Sequence, residues 1–430
     1  MITIFITCIT FLSTFFALFH FLSSYRFRKE LMPPARKLLS FSIVIPCYNE
    51  APILSNTIAG VLKLNYSNFE VIFINDGSTD GTLDVLRRSL DLEDRVDTKL
   101  LNTSGVRSVM RSRKFDYIYV IDKENSGKAD SLNKGIHFCH NELVVTLDGD
   151  CVLEKDALQI MNQVFQEEDI IASGGAVHVM QVFLLNKKSK FILKLQALDY
   201  IKGFYIYKPA LAYNNALNII SGAFGVFRKD ALLAVDGFRN GLGEDIDVTL
   251  RLQEYALKQD KRITYNAHAV CYTECPETMR SLSKQRTRWQ KAFLDAFVNN
   301  RSFLFRCFAK ANVCFFMVAD AMFSGTMAVL SFLINYILIA TKVIYGFGTL
   351  YLIYITLAVL FNVVNSLVAL KRAKKLLPKL NILCLIAMIF PDIVLFSLLR
   401  IGYFLQGTVS YCLNNRKWNK IERTSNCYHI

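Results

Sequence analysis

The stretch that decides the fold is VVTLDGDCVLEKDAL, residues 144–158. Four apolar or β-branched residues run directly into Asp148, Gly149 and Asp150. Because side chains alternate between the two faces of an extended segment, positions 148 and 150 point to the same side and bring two carboxylates together. Two adjacent negative charges are costly unless something cationic lies beside them. The stretch therefore predicts a buried strand that ends at a ligand.

The surrounding sequence, from position 41 to about 170, alternates short β-rich runs with helical runs that are apolar on one face. This pattern predicts an α/β domain, in which a parallel sheet carries helices on both faces. Such sheets bind their ligands beyond the carboxyl ends of the strands. The strand candidates are FSIVIP (41–46), FEVIFI (69–74), YIYVI (117–121) and ELVVTL (142–147).

Two stretches depart from this alternation. Residues 91–114 are polar and weakly periodic, so we expect a surface excursion there. From about 171 to 300 the strand signal weakens and helical runs dominate. The sequence therefore predicts one domain over residues 41–300, with most of its strands in the first half.

The N-terminal residues predict a membrane helix. Hydrophobic residues make up 53% of the chain and aromatic residues 13%, which is high for a soluble protein. Residues 1–24 carry no charge and are long enough to cross a bilayer as a helix. The alternative is a cleaved signal peptide, but the stretch lacks a basic n-region, is long for an h-region and shows no clear small-residue cleavage site.

The C-terminal region, residues 321–414, is also predicted to lie in the membrane. Two parts of it, 321–341 and 347–370, are each long enough to cross. The part 380–412 is interrupted by Pro391, Asp392 and Arg400, so it either crosses twice or lies in the membrane interface.

The segments that flank this region are basic. Residues 301–320 combine apolar and basic positions, which favours an interfacial helix, and residues 415–430 form a basic tail. By the positive-inside rule, the basic residues beside the predicted spans place the central domain and the tail in the cytoplasm. These residues are Arg26, Arg28, Lys29, Arg36 and Lys37 after the first helix, and Lys371, Arg372, Lys374 and Lys375 before the last stretch.

Charge and cysteine content exclude several classes of protein. The formal net charge is +14, but no run of interleaved basic and aromatic residues marks a nucleic-acid-binding face. Contact between the juxtamembrane basic clusters and anionic lipid head groups is the simpler explanation. The 11 cysteines show no CxxC or paired spacing, which indicates neither a disulfide framework nor a structural zinc site.

Two motifs at strand ends point to a nucleotide and a phosphate. NDGSTDGT, residues 75–82, ends a strand at Asp76; it is either a tight turn capped by Ser78 or Asp80, or a site that accepts hydrogen bonds from a base or ribose. NSGKADSLNKG, residues 125–135, puts Lys128 in the first turn of a helix, against the helix dipole. A phosphate would explain that lysine, because helix N-terminal amides and a lysine both bind anions.

Asp148 and Asp150 are interpreted as a site for a hard divalent cation, Mg²⁺ or Mn²⁺, with two solvated acidic residues in a loop as the alternative. In GLGEDIDV, residues 241–248, Glu244 and Asp245 are either ordinary helix capping or a carboxylate that takes a proton from a hydroxyl. QRTRWQ, residues 285–290, holds Trp289, which could also be an interfacial anchor.

Together these motifs carry a resemblance to a known family. The order DGS, GKA, DGD, SGAFGVFRKDAL, GED and QRTRW resembles the membrane-bound processive glycosyltransferases of family two. These include cellulose, chitin and hyaluronan synthases, and the poly-β-1,6-N-acetylglucosamine synthases are the most similar. The resemblance covers residues 41 to about 300, and the flanking apolar spans match as well. It implies a GT-A fold, a Rossmann-like nucleotide-sugar-binding domain flanked by transmembrane helices.

The resemblance also implies roles for individual residues. Asp76 and Asp148 would hold the uridine and ribose, Lys128 the diphosphate, and Asp150 the metal. Asp245 would be the general base, with Glu244 beside it in the substrate site. Gln285, Arg288 and Trp289 of the QxxRW motif would line the acceptor and diphosphate site. The sequence departs from the family at SGAF, residues 221–224, where cellulose synthases carry a cysteine, and at QKAF, residues 290–293, where many relatives have a glycine.

The expected function is inverting transfer of N-acetylglucosamine or glucose from a UDP-sugar to a growing β-linked polysaccharide, at the plasma (inner) membrane. Its expected partners are the UDP-sugar, a glycan or lipid acceptor and membrane lipids. The main rival is a non-processive enzyme that adds one sugar to a lipid. A rival of another class is a non-catalytic membrane subunit that binds nucleotide or glycan, although acidic residues at all of positions 76, 148, 150 and 245 argue against it.

Overall fold

The computed structural model describes residues 2–27, 35–95, 104–183, 189–327, 329, 348–374 and 379–414. The strands are β1 Phe41–Cys47, β2 Phe69–Asp76, β3 Leu92–Arg95, β4 Val106–Ser112, β5 Ile118–Lys123, β6 Leu143–Leu147, β7 Cys151–Leu153, β8 Ile170–Val179, β9 Phe224–Arg228 and β10 Arg262–Thr273.

The helices of the central domain are α2 Leu54–Leu62, α3 Thr82–Leu90, α4 Lys128–Phe138, α5 Ala157–Val164, α6 Met180–Phe183, α7 Phe191–Lys202, α8 Lys208–Tyr213, α9 Lys229–Ala234, α10 Glu244–Gln259 and α11 Met279–Asn299. The flanking helices are α1 Ile2–Phe27, α12 Arg301–Arg306, α13 Asn312–Phe315, α14 Gly348–Ala373, α15 Lys379–Ala387, α16 Ile389–Pro391 and α17 Ser397–Cys412. Within the described ranges, the π-helical segments Gly203–Tyr207, Phe316–Ser324 and Asp392–Phe396 join neighbouring helices.

The strands form one sheet in the order β3-β4-β5-β2-β1-β6-β9-β8-β10-β7. Strands β5, β2, β1 and β6 are parallel neighbours, as the alternating pattern predicts. The carboxyl ends of these strands lie at one edge, so Asp76 and Asp148, which end or follow two of them, lie at the same edge as the loop after β1. The sheet thus brings together residues that are far apart in sequence.

The sheet is not parallel throughout, although the alternating pattern predicted a parallel sheet. Strand β9 runs antiparallel to β6 and β8, and β7 runs antiparallel to β10. The prediction of a surface excursion over residues 91–114 was wrong for its described part, because β3 and β4 extend the sheet as antiparallel strands, with β3 at its edge. Edge strands tolerate polar and charged residues, so their hydrophobic signal is weak.

Helices cover both faces of the sheet, as predicted, and alternate residues of each strand face one side or the other. On one face, Ile43 and Phe73 pack against helices α2, α3 and α5. On the other, Val44 and Ile72 pack against α4 and α10. Burial on both faces explains why the central strands are continuously apolar rather than alternating.

The N-terminal apolar stretch forms helix α1, which packs on the central domain. His20 of α1 lies 2.6 Å from Asp320 of the π-helical segment Phe316–Ser324, through its Nε2 atom. Residues 301–320, expected to lie in the membrane interface, form α12, α13 and the start of this segment. Their buried side chains Phe303, Leu304 and Met317 pack against α10 and α11.

In the part of the chain that the structure describes, two helical stretches near the C-terminus are long and apolar enough to cross a membrane, judged by length and composition: Thr356–Ala373 and Ile382–Cys412. The second continues through Pro391, the residue expected to interrupt it. The predicted span 321–341 lies mostly outside the described residues, and the basic tail 415–430 lies wholly outside them. Crossing of the membrane by these segments stays a prediction.

Gly135 provides a test of this packing, because α4 lies close to the sheet at that residue. A Cβ atom at Gly135 would lie 2.4 Å from Cγ1 of Val44 and 2.8 Å from Cδ1 of Ile74. We predict that Gly135→Val lowers the free energy of unfolding by about 1–3 kcal/mol, the usual cost of overpacking. The measurement is the thermal midpoint in detergent. Gly81→Ala is the matched control, since its Cβ would meet only Cβ of Ala51 at 3.9 Å; equal midpoints for both variants would contradict the prediction.

Candidate active site

A cavity of about 1300 Å³ opens at the carboxyl edge of the parallel strands. Its lining includes every residue singled out in the sequence: Asp76, Lys128, Asp148, Asp150, Glu244, Asp245, Gln285, Arg288 and Trp289. These residues come from strand ends, from the first turns of α4 and α10, and from the middle of α11. Motifs separated by as many as 213 positions in the chain (289 − 76) therefore share one space.

The sequence suggested that Asp76 is exposed at the strand end, but the residue is buried, with 3% of its surface exposed. Its carboxylate forms an ion pair with the fully buried Lys123 of β5. Its two oxygens also accept hydrogen bonds from the backbone N–H groups of Ser126 and Gly127, each at 3.0 Å. Asp76 thus fixes the turn from which α4 begins, and it sets the position of Lys128.

Lys128 lies between two carboxylates from different parts of the chain. Its Nζ atom is 2.7 Å from Oδ1 of Asp148 and 3.1 Å from Oε1 of Glu244. Burial alone would lower the pKa of Lys128, but the two carboxylates raise it above its ordinary value. The lysine stays protonated, and about a third of its side chain (33%) is exposed. It can therefore exchange a carboxylate partner for an anionic ligand.

The DGD motif forms a turn between β6 and β7, and its carboxylates remain close together. Ligand atoms of Asp148, Asp150 and Cys151 all lie within 4.8 Å of one another. Burial raises the pKa of the Cys151 thiol well above its usual range, and the thiol donates to Oδ1 of Asp150 at 3.3 Å. The cluster thus offers carboxylate oxygens and no thiolate, a donor set that fits a hard divalent cation such as Mg²⁺ or Mn²⁺.

Asp245, in the first turn of α10, lies beside the loop that contains SGAF. One oxygen accepts from the backbone N–H of Gly222 at 3.2 Å, and the other from that of Ile246 at 2.9 Å. Burial and the neighbouring Glu244 raise the pKa of Asp245 to about 6, against the opposing effect of Lys128. A carboxylate with this pKa can accept a proton near neutral pH.

Gly222 allows the loop to approach both charged groups. A Cβ atom at this position would lie 2.7 Å from Nζ of Lys128 and 3.6 Å from Oδ2 of Asp245. Any larger residue would push the ammonium away. The SGAF sequence, which departs from that of cellulose synthases, therefore has a steric role here.

Residues of α11 and α7 also line the cavity. Gln285 is buried and its Oε1 atom has no hydrogen-bond partner among the described residues. Trp289 is 38% exposed, and its indole lies 6.2 Å from the Tyr200 ring, centroid to centroid. The guanidinium of Arg286 lies over the indole, 4.5 Å from the ring centroid. Aromatic side chains and carboxylates thus line the same cavity.

The sequence reasoning missed other residues that line this cavity. Lys208 of α8 is buried, donates to the carbonyl of Ile219 at 3.3 Å and lies over the Phe204 ring. Burial lowers its pKa to about 8. Asp199 and Tyr200 of α7 were missed as well. Charged residues inside the apolar runs FILKLQALDYIK and FYIYKPALAY were the available signal, since such charges need a buried partner or a ligand.

Residues 38–292 match the family described as Glycosyltransferase like family 2. The chain belongs to this family. The matched region contains every motif from DGS at position 76 to QRTRW at position 285, so the resemblance predicted from the sequence is confirmed. This family two glycosyltransferase therefore has its catalytic domain between the N-terminal helix and the C-terminal apolar region.

The relatives of the glycosyltransferase include poly-β-1,6-N-acetyl-D-glucosamine synthases of staphylococci. The protein of Staphylococcus aureus (strain COL) is 30% identical over 274 residues, or 63% of this chain and 59% of the relative. The protein of Staphylococcus epidermidis shows the same identity and coverage. The match thus spans 59% of the length of these relatives.

A solved structure confirms the GT-A fold. Mannosyltransferase PcManGT from Pyrobaculum calidifontis, in complex with GDP-Man and Mn²⁺, superimposes with a TM-score of 0.56 at 16% identity. The superposition covers 94% of this chain and 99% of the mannosyltransferase. At this identity the likeness concerns the fold, which is the fold predicted from the sequence.

The carboxylate cluster can be tested with metal alone. We predict that the glycosyltransferase binds Mn²⁺, more tightly when a nucleoside diphosphate is present, and that Asp150→Asn weakens the binding by about tenfold or more. The measurement is electron paramagnetic resonance of free Mn²⁺ in a titration. Asp84→Asn, which removes an exposed carboxylate of α3, is the control. Wild-type affinity in Asp150→Asn would show that the cluster is not the metal site.

Proposed function

We propose that the protein transfers N-acetylglucosamine from UDP-N-acetylglucosamine, with inversion, to the end of a growing β-linked polysaccharide. The observation that carries this proposal is the single cavity, in which Lys128, the DGD carboxylates, Asp245 and Trp289 line one continuous space. The identity of the sugar rests on the staphylococcal relatives, whose names describe N-acetylglucosamine polymers.

The donor occupies the part of the cavity that is nearest the sheet. The diphosphate takes the place that the carboxylates of Asp148 and Glu244 now occupy around the Lys128 ammonium. The N-terminus of α4 adds backbone dipoles of the same sign. Asp148 and Asp150 would hold Mg²⁺ or Mn²⁺, which when bound supplies positive charge to the diphosphate. Asp76 contributes indirectly, because its hydrogen bonds fix the turn that positions Lys128.

Asp245 acts as the general base. It removes the proton of an acceptor hydroxyl, whose oxygen then forms a bond to the anomeric carbon of the donor sugar. The bond between that carbon and the diphosphate oxygen breaks, and its electron pair leaves with UDP. Attack opposite the leaving group inverts the anomeric centre, so the product is a β-glycoside. Lys128 and Arg288 stabilise the charge on the departing diphosphate, and no general acid is needed.

Trp289 forms the acceptor platform. An indole face suits the apolar face of a pyranose ring, and its N–H can hold a hydroxyl. Its place in the lining of the cavity that also contains Asp245 supports this role. The aromatic wall continues through Tyr200 towards the apolar C-terminal helices, which would let the product leave into the membrane as it grows. We propose that the enzyme is a multi-pass protein of the plasma membrane, with its catalytic domain in the cytoplasm.

The pKa of Asp245 predicts a dependence on pH. Below pH 6 the raised pKa leaves Asp245 protonated and unable to act as a base, so the rate of transfer rises with pH through about 6. Removing Glu244, a neighbouring negative charge, makes ionisation of Asp245 easier. We therefore expect the inflection in Glu244→Gln below pH 6, whatever its effect on the maximal rate. Asp84→Asn is the control.

Asp245→Asn should bind UDP within a few-fold of wild type and lower turnover by about 10²-fold or more.

A pH profile of UDP release measures these effects, and UDP affinity is measured separately. An inflection at the same pH in wild type and Glu244→Gln would mean that another group titrates. Loss of UDP binding in Asp245→Asn would make Asp245 a structural cap of α10 rather than a base.

Trp289→Ala distinguishes an acceptor platform from a membrane anchor. We predict that this variant keeps UDP affinity but makes little polymer, because the terminal sugar loses its stacking surface. Protein level, UDP release and product length are measured on one preparation. A reduced protein level with chains of normal length and normal specific activity would contradict the acceptor role. A wild-type product of one transferred sugar would indicate the glycolipid synthase instead.

A further inference from the structure

Asp199 of α7 lies between two arginines that belong to different parts of the protein. Its Oδ2 atom is 2.9 Å from Nη1 of Arg286, on α11. Its Oδ1 atom is 2.8 Å from Nη1 of Arg400, on the apolar helix α17. One carboxylate thus joins the helix of the QxxRW motif to a helix that we expect in the membrane.

Arg286 transmits this contact to Trp289. Its guanidinium lies 4.5 Å from the centre of the Trp289 ring, 5.8 Å from that of Tyr200 and 5.7 Å from that of Phe396. Its Nε and Nη2 atoms are buried and have no acceptor among the described residues. Aromatic faces attract the cation but leave it free to slide. The ion pair with Asp199 therefore determines where the guanidinium lies on the indole.

Arg400 lies outside the cavity lining but is held on several sides. Its Nη2 atom donates to Oγ of Ser397 at 2.8 Å, and its Nη1 atom is 3.6 Å from Asp392. Asp392, which is 1% exposed, also forms an ion pair with Lys202 of α7. The charges that interrupt the apolar stretch 380–412 are thus neutralised by the catalytic domain.

Hydrogen bonds between α11 and α17 fix the two helices beside each other. The hydroxyl groups of Ser283 and Thr287 both donate to Oε1 of Gln406, at 3.0 and 3.1 Å. The side-chain amide of Gln290 donates to Oγ1 of Thr408 at 3.2 Å. Helix α17 is therefore joined at several points to the helix that carries Trp289, and Arg400 is joined through Asp199 to Arg286, whose guanidinium lies over the indole.

We propose that Asp199 and Arg400 are positioning residues: the ion-pair chain Arg400–Asp199–Arg286 orients Trp289, so that docking of α17 governs acceptor binding. The proposal rests on the proposed function, in which Trp289 stacks on the acceptor. It goes beyond that function by assigning a role to an apolar C-terminal helix in building the catalytic site.

The physical reason is the balance of charge among Arg286, Asp199 and Arg400, which lie where little water is present to screen them. Asp199→Asn leaves the guanidinium groups of Arg286 and Arg400 without the carboxylate that separates them, and like charges in such surroundings repel each other strongly. Arg400→Gln removes one arginine from the series of ion pairs. Asp199 is then no longer held by α17 and can move together with Arg286. In both variants the indole loses its fixed cation. A purely structural role of the charges predicts lower stability only, with an unchanged indole environment in the folded molecules.

Trp289 can report its own environment. The chain has 2 tryptophans, so Trp418→Phe leaves Trp289 as the single indole. In this background we expect acrylamide quenching of Trp289 to increase by about twofold or more in Arg400→Gln and Asp199→Asn, because the indole loses its cation–π contact. Arg400→Lys keeps the charge but not the forked geometry, so it should show a smaller change in the same direction. It also serves as the test variant if Arg400→Gln accumulates poorly.

The matched control is Arg306→Gln, which breaks the exposed ion pair with Glu254 at 2.6 Å and should leave quenching unchanged. The double variant Asp199→Asn with Arg400→Gln should resemble a single variant, because both break the same chain. On the same preparations, UDP affinity should stay within a few-fold of wild type while chain extension falls by about tenfold or more, since a misplaced acceptor slows the reaction steeply.

The two readouts separate the possible failures. Unchanged quenching in Arg400→Gln, or in Arg400→Lys if only that variant accumulates, overturns the positioning role and leaves sugar transfer as proposed. Increased quenching with wild-type product length overturns the acceptor role of Trp289, on which the proposal rests. Loss of UDP affinity together with increased quenching would mean that the whole site has collapsed, which also overturns the proposal.

Discussion

The contact of Lys128 with Asp148 and Glu244 is the interaction on which the catalytic site depends. The carboxylates of Asp148, Asp150, Glu244 and Asp245 are among those that line one cavity, and such a group is unfavourable without compensation. Lys128 supplies the compensating charge at 2.7 and 3.1 Å from two of them. It stands at the start of α4, where the helix dipole opposes a cation, so its position is stable only because of these partners.

This arrangement also prepares the site for chemistry. Because the compensation comes from a lysine that is partly exposed, an incoming diphosphate can replace the carboxylates at little electrostatic cost. One of the carboxylates freed in this way, Asp148, belongs with Asp150 to the cluster that is suited to a divalent cation. Asp245 lies at the edge of the group, where burial and Glu244 raise its pKa to about 6. The negative charges that repel one another in this cavity are thus the charges that the proposed reaction uses.

A second group of charges, around Asp199, performs a different task. Asp199, Arg286 and Arg400 link the catalytic domain to α17, and burial is offset by the two arginines, which lower the pKa of Asp199 to about 2. Polar residues in an apolar helix are costly in a membrane, so their pairing with α7 favours one docked arrangement. The apolar C-terminal region and the catalytic domain are therefore one structural unit at this surface.

The sequence by itself determined the α/β alternation, the strand ends at Asp76 and Asp148, and the nine candidate site residues that line the cavity. It could do so because apolar periodicity and motif order are local properties of the chain. The antiparallel strands β3, β4, β7 and β9 were not evident, since pairing at a sheet edge or across a crossover depends on partners that are distant in sequence. Only the tertiary structure decided that Asp76 is buried behind Lys128, and that Asp199, Arg286 and Arg400 meet. Which charges neutralise each other depends on distances in space, and residues 201 positions apart become neighbours only when the chain folds.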